Sequence, residues 1–272
     1  MRRFMKITLL LLILAVGLKI WISFLERKIT FYPNKNYDFF PDQLGLGHQE
    51  VRIPTEDGEN LVGWFFYKPE NDFTILFFHG NAENISHRLD FAERIVERKF
   101  NLLLVDYRGY GKSSGSPSEK GLYLDALASF KHLTDSLKIP PEKIVIWGIS
   151  IGGAAAVDLA GQVGARSLIL EGAFTSAKDM SRQILPPFPW HWLASYKFDN
   201  LSKISKVNMP VLFIHGDRDE TIPYWMGKKL FETANQPKFM YTVPGAGHND
   251  TFEIGGQNYF HRVEQFFRGN SY

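Results

Sequence analysis

The chain has 272 residues, 44% of them hydrophobic and 15% aromatic, enough to fill one large core or two small ones. Its 31 Lys and Arg against 29 Asp and Glu leave a formal charge of +2, which excludes the basic footprint of a nucleic-acid binder. Cysteine is absent, so disulfides, thiolate metal sites and cysteine nucleophiles are excluded together.

The first residues differ in kind from the rest. Met1-Arg2-Arg3-Phe4-Met5-Lys6 is a basic leader, and Ile7 to Leu25 is apolar apart from Thr8, Lys19 and Ser23. A cleaved signal would use Ile7 to Leu14 as its apolar region, with Ala15-Val16-Gly17 as the small-residue cleavage site. A membrane anchor over residues 1–29 would use the whole apolar run, which has nearly the length one hydrocarbon core needs. That length favours the anchor. Lys19 lies near one end, where its long stem reaches the interface, and Trp21 suits the same depth. Arg2, Arg3 and Lys6 precede the span, which predicts a cytoplasmic leader and a domain on the non-cytoplasmic side. Arg27 and Lys28, just after the span, pull the other way.

Residues 30–272 read as one domain. Glu26 to Leu46 is irregular, with Pro33 and Pro41, and forms a tether. His48–Pro54 and Asn60–Tyr67 flank an Asp57-Gly58 turn and predict an antiparallel hairpin. Short apolar runs then follow at Phe73–Phe78, Leu102–Val105, Ile144–Trp147, Ser167–Leu170, Val211–Ile214 and Phe239–Val243. Runs without polar alternation predict strands buried on both faces. Helical patterns separate them at Asn84–Arg98, Ser118–Leu137, Ser150–Gly161, Ile222–Ala234 and Gln257–Arg268. The fold class is therefore α/β: a mostly parallel twisted sheet of about eight strands with helices on both faces. Residues 172–206 break the rhythm with Pro186-Pro187-Phe188-Pro189-Trp190-His191-Trp192. Such an insertion is a candidate lid, with Trp190 and Trp192 as candidate pocket-lining residues.

Gly148-Ile149-Ser150-Ile151-Gly152 lies between a strand pattern and a helix pattern, the setting a nucleophile elbow requires. The turn lifts the Ser150 hydroxyl clear of the sheet, and the two glycines let strand and helix approach. A serine needs a base to become nucleophilic. Of eight histidines, His248 in Gly245-Ala246-Gly247-His248-Asn249 lies between the last strand and the last helix, on the edge of the sheet where Ser150 stands. His79 and His215 each precede a glycine at a strand end, where imidazole commonly ties down a turn. The acid comes from Asp217 or Asp219, just past a strand, or from Glu171 at the end of the preceding one. Pattern alone does not separate the two aspartates. The oxyanion of an attacked carbonyl needs donors, and the N–H groups of Ile151 and Asn81 are the candidates, with the Asn81 side-chain amide as an assistant.

Together His79-Gly80-Asn81, Asp106-Tyr107-Arg108-Gly109-Tyr110-Gly111-Lys112-Ser113, the elbow, His215-Gly216-Asp217-Arg218-Asp219 and Gly247-His248 resemble the α/β-hydrolase superfamily. Phe31-Tyr32-Pro33, Thr55-Glu56-Asp57-Gly58 and Phe198-Asp199-Asn200-Leu201 resemble its Bem46-like branch, often N-terminally anchored and often labelled serine aminopeptidase. The resemblance implies Ser150, Asp219 and His248 as a triad, with no metal and no cofactor. The implied activity is hydrolysis of acyl esters or thioesters of a small-molecule or lipid-like substrate. Acyl transfer on the same triad and a non-catalytic tethered scaffold are the rival classes. Gly111-Lys112-Ser113 is no phosphate loop, because Asp106 stands where that motif needs glycine.

Overall fold

The computed structural model describes residues 2–184 and 195–269. Trp190 and Trp192 lie outside the described residues. Helix α1 (Arg2–Thr30) has 29 residues, about 43 Å at 1.5 Å per residue. It is largely apolar, and its large apolar side chains from Phe4 to Trp21, with Phe24, stay exposed rather than covered by the domain. The segment Phe4–Thr30 is long and apolar enough to cross a membrane.

The tether is not loose. Phe31 is buried in the core, and Tyr32–Pro33 pairs in parallel with Ala82–Glu83. Gly111 N donates to Asn34 O at 2.9 Å, and Asn84 Nδ2 donates to Asn34 O at 3.1 Å and Asn36 O at 2.6 Å. Tyr37 OH donates to the buried Asp106 carboxylate at 2.6 Å. The irregular sequence thus hides an ordered strap, held by side chains far along the chain.

Eight strands form the main sheet: β1 (Gln49–Pro54), β2 (Asn60–Phe66), β3 (Thr74–Phe78), β4 (Asn101–Asp106), β5 (Ile144–Ile149), β6 (Ser167–Glu171), β7 (Val211–Gly216) and β8 (Lys238–Val243). Their order is β8-β7-β6-β5-β3-β4-β2-β1. The hairpin β1–β2 and the pair β2–β4 are antiparallel; all other pairs are parallel. The continuous apolar runs arise because each central strand feeds two cores. In β5, Ile144 and Ile146 join the core that also holds Phe31, Leu122 and Met226, while Val145 and Trp147 join the one holding Phe91, Tyr259 and Phe267.

Helices α2 (Leu89–Glu97), α3 (Glu119–Lys131), α4 (Ile151–Ala160), α5 (Ala177–Ile184), α6 (Asn200–Ile204), α7 (Tyr224–Thr233) and α8 (Thr251–Arg268) complete the fold. Helices α5 and α6 lie in the 172–206 insertion, where the sequence pattern predicts none, and three of the expected helices differ from the periodicity reading. Residues Ile85–Arg88 ahead of α2 form a 3-10 turn capped by the Asn84 side chain. After α3 the chain passes into one π turn, His132–Ser136. And α8 starts six residues earlier than expected, with a kink at Gly256 (φ 51°) that interrupts the helical period.

The Asp106–Ser113 loop is fixed by Arg108. Its guanidinium meets Asp57 at 2.7 Å and 3.0 Å and Asp125 at 2.9 Å, and its backbone N–H donates to Asp125 at 2.8 Å. Burial pushes the Asp125 carboxyl up to about 6, against the opposing pull of Arg108. Arg108→Met would strand a buried carboxylate, and unfolding in urea at pH 7 is expected to show a loss of about 3–5 kcal/mol. Adding Asp125→Asn is expected to recover part of that loss.

Candidate active site

Strand β5 ends at Ile149 and α4 begins at Ile151, so Ser150 alone makes the turn, at φ 56° and ψ −119°. That backbone conformation is costly for a residue with a side chain. The surroundings impose it. Ser150 N donates to Glu171 O at 2.9 Å, and Gly153 N donates to Ser150 O at 3.0 Å. A Cβ on Gly152 would stand 2.1 Å from Phe78 O, and one on Gly148 would stand 2.3 Å from Gly152 O. Only glycines allow β3, β5 and α4 to close around the serine.

The structure brings the three side chains named by the motifs together. His248 Nε2 lies 3.1 Å from Ser150 Oγ, and His248 Nδ1 lies 2.7 Å from Asp219 Oδ2. With Nδ1–H donating to the carboxylate, the Nε2 lone pair faces the serine hydroxyl. The loop carrying His248 is braced at both ends: Gly245 N donates to Asp217 at 2.7 Å, and Gly247 N donates to Asp250 at 2.7 Å. Asp217 is therefore occupied by the turn.

Asp219 is heavily bonded. Its Oδ1 accepts the N–H groups of Thr221 at 2.9 Å and Ile222 at 2.7 Å. His215 Nε2 stands 3.3 Å from Oδ2, and its proton is shared with Ile222 O at 2.9 Å. Burial by itself would raise the carboxyl, but the contacts from His215, His248 and the Ile222 N–H outweigh it and hold Asp219 well below the usual range. His215 was read from sequence as a turn residue; its contact with Asp219 carried no local signal beyond the His-Gly pair.

Glu171, the rival acid, points elsewhere. Its buried carboxylate accepts from Trp147 Nε1 at 3.2 Å, Tyr259 OH at 2.7 Å and Thr251 Oγ1. Burial raises its pKa. The next residue, Gly172 (φ 50°), lies directly under the site: a Cβ there would stand 3.1 Å from His248 Cε1 and 3.5 Å from Asp219 Oδ2.

On the other side of Ser150 lies the loop after β3. A Cβ on Gly80 would stand 3.9 Å from Ser150 Cβ, so this loop abuts Ser150. The Asn81 carbonyl accepts from Tyr32 N at 2.9 Å and Tyr110 OH at 2.7 Å. Its side-chain amide donates to Thr30 O at 3.3 Å, so it faces α1 rather than assisting at the serine. Among the described residues the backbone N–H groups of Asn81 and Ile151 donate to no other group. His79 is buried and tied to Gly80 O at 2.8 Å; burial lowers its pKa to about 3, which leaves it neutral.

A family model described as serine aminopeptidase, S33, matches residues 69–203. The α/β-hydrolase domain-containing protein WAV2 of Arabidopsis thaliana is 32% identical over 93% of this chain and 91% of its own length. This chain belongs to the α/β-hydrolase family. Another α/β-hydrolase domain-containing protein, 17B of Xenopus laevis, is 41% identical over 76% of this chain and 71% of its own. Among solved structures, the Pyrococcus furiosus esterase Pf2001 superposes with a TM-score of 0.74 at 22% identity, covering 88% of this chain and 97% of that one, which shows the α/β-hydrolase fold.

The depressed Asp219 carboxyl makes a signed prediction. Its bonds add stability above the ordinary value of 3.8, and that stability is lost as the pH falls below it. Asp219→Asn is therefore expected to unfold at lower urea than the native protein at pH 6, with the gap narrowing at pH 3.

Proposed function

We propose that this α/β-hydrolase cleaves acyl esters or thioesters, lipid-like ones in particular, through an acyl-enzyme on Ser150. The observation that carries the reading is the unbroken chain of contacts Ser150 Oγ–His248 Nε2, His248 Nδ1–Asp219 Oδ2 at 3.1 Å and 2.7 Å. Ser150 Oγ attacks the acyl carbon as its proton passes to His248 Nε2. Asp219, ionised and accepting from Nδ1, stabilises the imidazolium that forms. The developing oxyanion takes the N–H groups of Ile151 and Asn81, aided by the positive end of α4. As the tetrahedral adduct collapses, the leaving alcohol or thiol takes the proton from Nε2. Water, deprotonated by the same imidazole, then releases the acid. The esterase name of the Pyrococcus furiosus neighbour fits this chemistry.

Helix α1 is proposed as an uncleaved single-pass anchor, on the strength of its length, its exposed apolar surface and its terminal basic residues. The excess of Arg2, Arg3 and Lys6 before the span favours a domain on the non-cytoplasmic side.

Ser150→Ala is expected to abolish both labelling by a fluorophosphonate probe and hydrolysis of p-nitrophenyl esters; persistent esterase activity would remove Ser150 as nucleophile. Asp219→Asn is expected to lower kcat by about 10⁴, with labelling slowed in parallel. Across p-nitrophenyl esters of graded length, kcat/KM is expected to rise beyond acetyl, whereas a maximum at acetyl would count against a lipid-like substrate.

A further inference from the structure

The end of α1 grips the rim of the sheet where the candidate site lies. Glu26 is 8% exposed, and its two carboxylate oxygens accept the backbone N–H groups of Ser195 and Tyr196, each at 2.8 Å. Ser23 Oγ lies 3.2 Å from Ser195 Oγ. One turn later Thr30 O accepts the Asn81 amide at 3.3 Å, and Phe31 packs edge-on against Tyr196 and Phe198. The gripped segment is itself fixed to the domain, because Lys197 N and Phe198 N donate to the Glu119 carboxylate at 2.6 Å and 2.7 Å. A carboxylate bonded by two backbone N–H groups makes a stiff, charge-assisted joint rather than a swivel.

That joint fixes depth. The polar residues Glu26, Arg27 and Lys28 mark the end of the apolar run. From Glu26 to Thr30 the helix rises about 6 Å, the thickness of one headgroup layer. Asn81, beside Ser150, is bonded to the end of that rise. A second observation agrees. Outside α1, seven large apolar side chains are exposed among the described residues, and three of them, Tyr32, Trp225 and Ile254, stand near this rim at 53%, 45% and 53% exposure. Tyr32 adjoins the Asn81 loop; Trp225 and Ile254 lie in the first turns of α7 and α8, which start at the same rim. Apolar and aromatic side chains at the rim that carries Ser150 suit the interfacial layer of a bilayer.

We infer that the end of α1 is a rigid strut that seats the catalytic rim on the bilayer surface, so that the site takes acyl esters still embedded in the leaflet at its own face. The inference rests on the reading of α1 as an anchor and of Ser150 as nucleophile. In a leaflet the acyl carbonyl lies at the boundary of headgroup and hydrocarbon, the depth to which the strut brings the oxyanion loop. The substrate's chains remain in the hydrocarbon while its carbonyl reaches Ser150.

The absence of native cysteine allows a direct depth measurement in the full-length protein. Lys197→Cys and Lys143→Cys, both at exposed positions, are labelled separately with a nitrobenzoxadiazole fluorophore and reconstituted in phosphatidylcholine vesicles carrying headgroup-proximal nitroxide lipid. Lys143 precedes β5 and so lies at the opposite edge of the sheet, about 20 Å away along the strand. Strong quenching at 197 and little at 143 is the expected result; equal quenching at both overturns the strut. In a second variant, a polar helical heptad inserted after Ile22 lifts the domain by about 10 Å with the joint intact. Quenching at 197 is then expected to vanish. Hydrolysis of a fluorogenic diacyl lipid in the same vesicles is expected to fall about tenfold, as the effective concentration of substrate at the site drops, with turnover of soluble p-nitrophenyl butyrate unchanged. Unchanged lipid hydrolysis in the lifted variant overturns the inference. If the unmodified protein hydrolyses no soluble ester, the nucleophile reading fails, and the quenching pattern still decides whether the rim is seated on the bilayer.

Discussion

Two backbones touch at Gly148 and Gly152 where no side chain would fit, and Ser150 is caught between them at a positive φ. Strand β3 presses its Phe78 carbonyl against the start of α4, and β6 offers the Glu171 carbonyl to the serine N–H. Neither contact alone would hold a side-chain-bearing residue in that conformation, which costs on the order of 1–3 kcal/mol. Packing of the central sheet supplies the constraint. From it follow the position of the Ser150 hydroxyl, the free N–H of Ile151 at the head of α4, and the place where His248 must arrive.

The acid side of the site is built differently, from hydrogen bonds rather than close packing. Asp219 collects donors from its own loop and from His248, with His215 close behind. A carboxylate so supplied stays ionised while buried, and an ionised partner fixes which imidazole nitrogen carries the proton. Glu171 shows the contrast. It lies one residue from Gly172, under the same imidazole, yet its oxygens serve Thr251, Tyr259 and Trp147 and lock β6 to α8. Two acids packed near one histidine differ because of who donates to them.

Much of this architecture was legible in the sequence. Strands buried on both faces leave uninterrupted apolar runs, so the six parallel or central strands could be read directly, and the Asp57-Gly58 turn marked the hairpin. The elbow was readable because close approach demands glycine at two fixed positions. Asp217 and Asp219 were not separable by pattern, since what distinguishes them is the partner each meets: the N–H of Gly245 for one, the imidazole of His248 for the other. The strap from Phe31 to Tyr37 and the Glu26 joint left no trace in composition, because their partners lie 48 to 170 residues away in sequence. Helix α8 was read short because a glycine at φ 51° interrupts its period.

The order in which the chain is made gives the sheet order a further meaning. The strap after α1 pairs with residues 82 and 83, which ties the start of the domain to the loop after β3. Strands β7 and β8, which deliver Asp219 and His248, are added last at one edge of the sheet. A chain ending before residue 211 would contain Ser150 but lack both Asp219 and His248. Under the proposed mechanism, the serine therefore gains its base only when the last edge strand and the loop after it are in place.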